Sequence, residues 1–340
     1  MITANDIFTI SGQKQFEKIA LKVFRFQYEN NLVYQEFCDL LKTNPQKVKS
    51  LHQIPFLPIQ FFKSHNVVSN NNPIQATFSS SGTTASTSSA TEQGEIRTDI
   101  IRSKHLVTDV SIYEESYRKG FSQFYGNIED YVVLALLPSY LEREGSSLIY
   151  MVEDLIQLTN NTNSGFYLNN HEELIQKLID LDQAGQNVIL IGVTYALLDL
   201  IEKQQFQLQH TIIMETGGMK GKRKEMIREE LHEQLCNGFG VTAIHSEYGM
   251  TELLSQAYSL GNGVFECPSW MQIRIRDTED ALTYIKDGKT GGINVIDLAN
   301  INSCSFIATQ DLGKKYPNTT FEVLGRFDNS DIRGCNLMVV

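Results

Sequence analysis

The sequence predicts an α/β fold: a largely parallel sheet flanked by helices, followed by a small antiparallel β subdomain. Three observations carry this. Four short apolar runs, Tyr131–Leu137, Asn187–Gly192, Thr211–Thr216 and Val241–His245, alternate with amphipathic stretches between residues 131 and 250. Such runs suit strands buried on both faces, and alternation with helices makes them parallel. From about Phe265 the texture changes to short strands separated by turns such as Asp287-Gly288 and Gly291-Gly292, as in an antiparallel sheet or barrel. Finally, 41% of the 340 residues are hydrophobic and 10% aromatic, enough to fill a sizeable core.

Composition also excludes classes of partner. The net charge is −11 and no basic run is present, so there is no electrostatic footprint for nucleic acid. No apolar run approaches the ~18 residues of a membrane span. The N-terminus, Met1-Ile-Thr-Ala-Asn-Asp-Ile-Phe8, lacks the basic and apolar regions of a signal peptide. Cys38, Cys236, Cys267, Cys304 and Cys335 are odd in number and far apart. Reduced thiols in a cytoplasmic protein, with no structural zinc, are the expectation.

In chain order, Phe16, Ile19, Ala20, Val23, Phe24, Tyr28, Leu32, Phe37 and Leu41 recur at helical spacing over 13–42. Asn44-Pro45 ends that pattern. The segment Ile54–Lys63 carries Pro55 and Pro58, which disfavour a regular helix. Phe56, Phe61 and Phe62 then pack into the core or line an apolar channel, core packing being preferred. Phe78–Ser89 is almost wholly small and hydroxylated around Gly82. It reads either as a flexible linker or as a loop whose N–H groups and hydroxyls wrap phosphate oxygens. Helices are expected over His105–Phe124, Ser146–Leu158, 171–181, 195–202 and 222–236.

Ligands of open α/β sheets sit at the carboxyl ends of the strands, and three unusual loops fall there. Glu215-Thr-Gly-Gly-Met219 follows the third apolar run. Gly217 and Gly218 make either a tight strand-to-helix turn or a close approach to a flat ring. Glu247-Tyr-Gly-Met-Thr-Glu252 follows the fourth. Gly249 permits a tight turn, Tyr248 can stack on a planar ligand and Thr251 can donate to phosphate. Glu252 can hold Mg²⁺ beside it, or can simply stabilise a helix N-terminus. Asp311 can accept from both hydroxyls of a ribose, or open a turn. Arg326, flanked by the acids of 324–334, is either a site residue near Asp311 or part of an ion-paired structural turn.

The order of these pieces resembles the adenylate-forming superfamily of acyl-CoA synthetases, adenylation domains and luciferases. Ser80-Ser81-Gly82-Thr83-Thr84 is similar to its phosphate loop. Tyr248, Gly249, Thr251 and Glu252 match every fixed position of its Tyr-Gly-x-Thr-Glu motif. Two departures narrow the match: Ala85–Ser89 lacks the usual lysine, and the chain ends at Val340, after a Gly-Arg-x-Asp hinge sequence. Ile54–Lys63, Ser80–Thr83, Pro138–Arg143 and Asp331-Ile-Arg-Gly-Cys335 resemble a shorter branch, the LuxE-type acyl-protein synthetases, from about residue 10 onward.

That resemblance implies a single adenylate-forming-type domain over 1–340 without the mobile C-terminal domain. Its parts are 1–77, 78–262 with the phosphate loop and α/β core, and 263–340 with the β subdomain and hinge. It implies ATP and Mg²⁺, activation of a fatty or other apolar carboxylic acid, and thioester formation on Cys335. Arg326 and Arg333 lie close enough in sequence to favour the thiolate. An acyl-accepting reductase subunit is the implied partner. The alternatives are a lidless acyl-CoA ligase and a non-catalytic acyl- or nucleotide-binding subunit. Lys220 and Lys222 are candidates for the missing lysine. Tyr140 and His245 are candidate pocket residues, with a satisfied core histidine the preferred role for His245.

Overall fold

The computed structural model describes residues 2–80, 86–90, 96–100, 102–138, 145–168, 170–217, 223 and 226–327, with backbone alone for 86–90 and 96–100. The chain opens with helices α1 (Ala4–Phe8), α2 (Gln13–Asn30) and α3 (Leu32–Leu40). The helical pattern expected over 13–42 is present but broken at Asn31. Its side chain accepts from the Tyr34 N–H and donates to the Ser69 hydroxyl and the Ser303 carbonyl. A capping Asn starts a new helix at the expense of continuing the old one. A short strand β1 (Leu57–Pro58) and helix α4 (Phe61–Ser64) follow. Phe56 and Phe62 are buried there, edge-on to Phe306 and His105 respectively.

Two small antiparallel sheets come next. Strand β2 (Ala76–Ser79) is followed by β3 (Ser86–Ala90), β4 (Ile96–Ile100) and β5 (Lys104–Val107). β2 pairs with β5, and β3 pairs with β4. Helix α5 (Val110–Tyr125) therefore begins later than the helix expected from His105. Asp109, in an extended conformation, caps the Ser111 N–H and stops the helix from extending backwards. His105 lies on β5, opposite Phe78.

The large sheet starts with β6 (Val132–Leu136), and helix α6 (Ser147–Leu158) follows it. Then come β7 (Gly165–Tyr167), α7 (His171–Gln183), β8 (Val188–Val193), α8 (Thr194–Lys203), β9 (Thr211–Thr216), α9 (Arg228–Phe239) and β10 (His245–Tyr248). The spatial order β7-β6-β8-β9-β10 is parallel throughout. All five residues of β6 and all six of β8 are buried, which is why these runs are apolar without alternation.

The antiparallel strands continue this same sheet. They are β11 (Ala257–Ser259), β12 (Val264–Glu266), β13 (Met271–Arg276), β14 (Thr290–Asp297), β15 (Phe306–Lys315) and β16 (Phe321–Arg326). From β10 the order runs β11-β12-β16-β15-β14-β13, with β1 alongside β15. The sheet is thus parallel at one end and antiparallel at the other, as the α/β reading with its antiparallel part requires. Phe306 anchors the N-terminal helices to the antiparallel end, stacked on Tyr34 at 6.2 Å and edge-on to Phe24 at 6.3 Å. No described helix is long and apolar enough to cross a membrane.

Asp297, at the end of β14, is fully buried. Its carboxyl accepts from the N–H groups of Leu254, Ser255 and Ala299 and from the Ser255 hydroxyl, at 2.6–3.1 Å. Burial outweighs these donors and pushes the group from 3.8 up to about 6. An acid whose value rises on folding contributes most below its ordinary value and loses that contribution as pH climbs through the raised one. Asp297→Ala is therefore expected to cost about 3 kcal/mol near pH 4, because buried donors lose their acceptor. The gap from wild type should narrow toward pH 7. Urea unfolding at both pH values measures it, and a widening gap would contradict the assignment.

Candidate active site

The site is built around β10. Sequence spacing put the fourth strand at Val241–His245; the structure puts it at His245–Tyr248. Gly240 ends α9 in the left-handed conformation, φ 68°, with its N–H on the Cys236 carbonyl. The chain needs the next four residues to return, and pairing with β9 begins at His245 opposite Met214. Glu247 and Tyr248 are consequently strand residues, and the turn starts at Gly249.

Alternation along β10 sends Ser246 and Tyr248 to one face and His245 and Glu247 to the other. Tyr248 is 9% exposed. Its hydroxyl donates to Asp311 Oδ2 at 2.8 Å, and its ring meets Phe265 and Phe321 edge-on. Burial, then the Asp311 carboxylate, pushes the phenol well above its ordinary value. Asp311 on β15 lies directly opposite Arg326 on β16, and Arg326 Nε approaches Asp311 Oδ1 at 3.4 Å. The Arg326 side chain is 63% exposed, so this pair adds little stability and leaves the guanidinium facing solvent. Residues 63 and 15 positions apart thus form one polar cluster.

Gly249 has no room for a side chain, since a Cβ there would stand 2.5 Å from Glu247 Oε1. Beyond it, the turn is held by its own backbone. The Thr251 carbonyl accepts from His105 Nδ1 at 2.9 Å, and the Glu252 carbonyl accepts from Asn300 Nδ2 at 2.8 Å. Burial pushes His105 down to about 4, so it stays neutral. Glu252 is 5% exposed, and burial pushes its carboxyl up, against hydrogen bonds from Ser103 and its own N–H. Ser103 also exchanges hydrogen bonds with Ser80: Ser80 N–H to the Ser103 carbonyl and Ser103 N–H to Ser80 Oγ, both 3.0 Å. The base of the Ser/Thr stretch therefore lies beside Glu252.

Gly217 closes β9 with φ 70°, and its carbonyl accepts from the Thr194 hydroxyl at 2.6 Å. Glu215, two residues earlier, is buried and pairs with Arg228 Nη1 at 3.0 Å. Burial pushes its carboxyl up, but His232, Arg228 and Ser246 outweigh this and hold it below its ordinary value. His245 is half-buried and shares a hydrogen bond of 3.2 Å with the Tyr125 hydroxyl. Ser81, Gly82, Thr83, Thr84, Tyr140, Gly218, Lys220, Lys222 and Cys335 lie outside the described residues. Sequence reasoning missed Ser103, His105, Asn300 and Asp297, which have no local signal: each acts on a turn about 43 to 150 positions away.

Among the described residues no group of three or more His, Cys, Asp and Glu gathers to hold a metal. Glu252 is a single carboxylate beside hydroxyls. That donor set fits a magnesium ion carried mainly by phosphate oxygens and does not fit a cage built by protein alone.

Several solved ligases share the fold. An open conformation of 2-hydroxyisobutyryl-CoA ligase, in complex with 2-HIB-AMP and CoA, superposes with a TM-score of 0.62 at 12% identity, over 93% of this chain and 70% of that one. The same ligase in its postadenylation state with 2-HIB-AMP gives 0.65 at 12%, over 93% and 68%. ATP-bound MatB from Rhodopseudomonas palustris gives 0.51 at 16%, over 76% of this chain and 49% of that one, so this chain matches about half of MatB. No curated protein matches. The sequence pattern of the family described as "Acyl-protein synthetase, LuxE" matches residues 2–340; the chain belongs to the LuxE family of acyl-activating ligases.

Proposed function

We propose that this chain activates an apolar carboxylic acid, of the fatty-acid class, with ATP and then carries the acyl group as a thioester on Cys335. The observation that carries this reading is the Tyr248–Asp311–Arg326 cluster standing next to the turn that bears Thr251 and Glu252. In this reading Asp311 accepts from ribose hydroxyls, and its hydrogen bond from Tyr248 fixes the carboxylate's orientation. Gly217, Gly218 and the Tyr248 edge frame the adenine. Ser80, Ser81, Gly82, Thr83, Thr84 and Gly249 supply donors and close backbone around the phosphates, with Thr251 hydrogen-bonding from the other side.

The carboxylate of the acid attacks the α-phosphorus in line, forming the acyl–O–P bond as the bond to pyrophosphate breaks. Negative charge grows on the phosphate oxygens, where fixed N–H and O–H donors are worth most. Glu252 would hold Mg²⁺, which when bound neutralises phosphate charge. Arg326, largely exposed, is placed by Asp311 to meet the same charge. The domain is read as one unit over 1–340.

Cys335 then attacks the acyl carbon as thiolate, forming the thioester and releasing AMP. The other cysteines are poor substitutes. Burial pushes Cys38 up to about 12, and raises Cys236, Cys267 and Cys304 as well, so none is a ready thiolate. A reductase-type protein is the proposed final acceptor. A second reading, transfer to coenzyme A, is favoured by the CoA bound in the 2-hydroxyisobutyryl-CoA ligase structure.

Three measurements test this. Pyrophosphate exchange with a panel of fatty acids should fall on the order of 100-fold or more in Glu252→Ala; no exchange with any acid overturns the reading. Tyr248→Phe should raise the KM for ATP about five- to tenfold, the loss of one hydrogen bond to a charged group, while the KM for the acid stays put. Intact-protein mass spectrometry after ATP and acid should show an acyl adduct that disappears in Cys335→Ala. An adduct that persists assigns the acyl group to another residue, and acyl-CoA formation instead selects the second reading.

A further inference from the structure

Strand β15 leaves its regular ladder around Asp311. Gly292 of β14 pairs with Leu312 and Asn294 pairs with Ala308, so Ile293 alone spans Thr309, Gln310 and Asp311. Such a bulge bends its strand, re-aims a side chain and leaves backbone groups without ladder partners. Here the three residues find other partners. The Asp311 N–H donates to the Thr309 hydroxyl at 3.1 Å, and that hydroxyl donates to the Ile293 carbonyl at 2.9 Å. The Gln310 carbonyl accepts from the Phe327 N–H at 2.8 Å. The Thr309 carbonyl accepts from Arg276 Nη2 at 2.5 Å.

Arg276 reaches the bulge from β13, across β14, and is 8% exposed. Its Nη1 donates to the Ile293 carbonyl at 2.8 Å and to Asn294 Oδ1 at 2.7 Å. One planar fork thus grips β14 and β15 where their register breaks, a geometry that a lysine ammonium does not reproduce. Gly292 lies opposite Arg276 in register, and a Cβ there would stand 2.5 Å from Arg276 Cζ. On the other side, the ring of Phe327, the residue after β16, has its centroid 5.4 Å from Cζ. All three acceptors are uncharged. Burial pushes the guanidinium down, and the Asp311 carboxylate leads the groups that oppose this. A buried cation held by neutral groups is a costly way to fill space, so its use lies in what it holds in place.

We propose that Arg276 is a positioning residue for nucleotide recognition: its guanidinium braces the β15 bulge and so holds the Asp311 carboxylate at the angle that meets the ribose hydroxyls. The inference rests on the reading of Asp311 as the ribose acceptor. Tyr248 and Arg326 contact the carboxylate itself, whereas Arg276 fixes the backbone that carries it. Without the brace the bulge relaxes toward a regular ladder and turns Asp311 away from both hydroxyls. A misplacement of about 1 Å is enough to lose such contacts.

The test is pyrophosphate exchange with the most active acid of the fatty-acid panel, run with ATP and with 2′-deoxy-ATP. Wild type should prefer ATP in kcat/KM by about tenfold or more, the effect of one hydrogen bond to a charged group. Arg276→Lys keeps the charge and loses the fork. It should raise the KM for ATP about tenfold, leave the KM for the acid level and bring the two nucleotides within about threefold of each other. A plain loss of folded protein lowers kcat for both nucleotides alike and leaves their ratio intact. Gly292→Ala displaces the guanidinium without changing it and should reproduce the lost preference; it decides alone if Arg276→Lys fails to fold. A folded variant that keeps the wild-type preference overturns the role of Arg276 and leaves the Asp311 reading standing. A wild type indifferent to the 2′-hydroxyl, or no exchange with any acid, overturns the site reading and this inference together.

Discussion

The Asp297 carboxyl group is the constraint on which the geometry of the candidate site depends. It gathers two successive N–H groups just after the Glu252 turn, Leu254 and Ser255, and the Ala299 N–H beyond its own strand. The Ser255 hydroxyl that it also holds is met by the Trp270 indole N–H at 2.9 Å and by Ser116 of α5 at 3.0 Å. One buried acid thus ties together the turn, the antiparallel end of the sheet and a helix over the parallel end. These ties hold the turn firmly, because hydrogen bonds inside a dry core are strong when complete and costly when broken. His105 and Asn300 add two more ties to the same turn through its carbonyls.

β10 turns this rigid support into two environments. The simple period of a strand puts Tyr248 with Asp311 and Arg326 on one face, a polar cluster open to solvent at the guanidinium. Two-residue alternation puts Glu247 on the opposite face, against a small cavity lined by aliphatic and aromatic side chains. Gly249 joins the two, and a side chain there would force them apart.

Much of the fold was legible because its cause is local. Runs such as Val132–Leu136 and Val188–Val193 are apolar because both faces of those strands are covered, and the helices between them carry a regular apolar stripe. Where expectation and structure part, a nonlocal partner decided. His105 sits within a stretch that reads as helix, yet pairing with Phe78 makes it strand. Val241–Ile244 has the composition of a strand, yet the left-handed cap at Gly240 delays pairing until His245. Asn31 looks like one more polar position on a long helix, but Ser69 and Ser303, far along the chain, recruit it as a cap.

The sequence by itself determined the α/β class, the order of the motifs and the residue types at Tyr248, Gly249, Thr251, Glu252, Asp311 and Arg326, because spacing and side-chain chemistry are written along the chain. Only the tertiary structure decided that Tyr248, Asp311 and Arg326 meet, that Ser80 comes to Glu252 through Ser103, and that Glu247 borders an apolar cavity. Those relations come from sheet order and register, which bring residues from distant strands within hydrogen-bonding distance, and a linear pattern does not contain them.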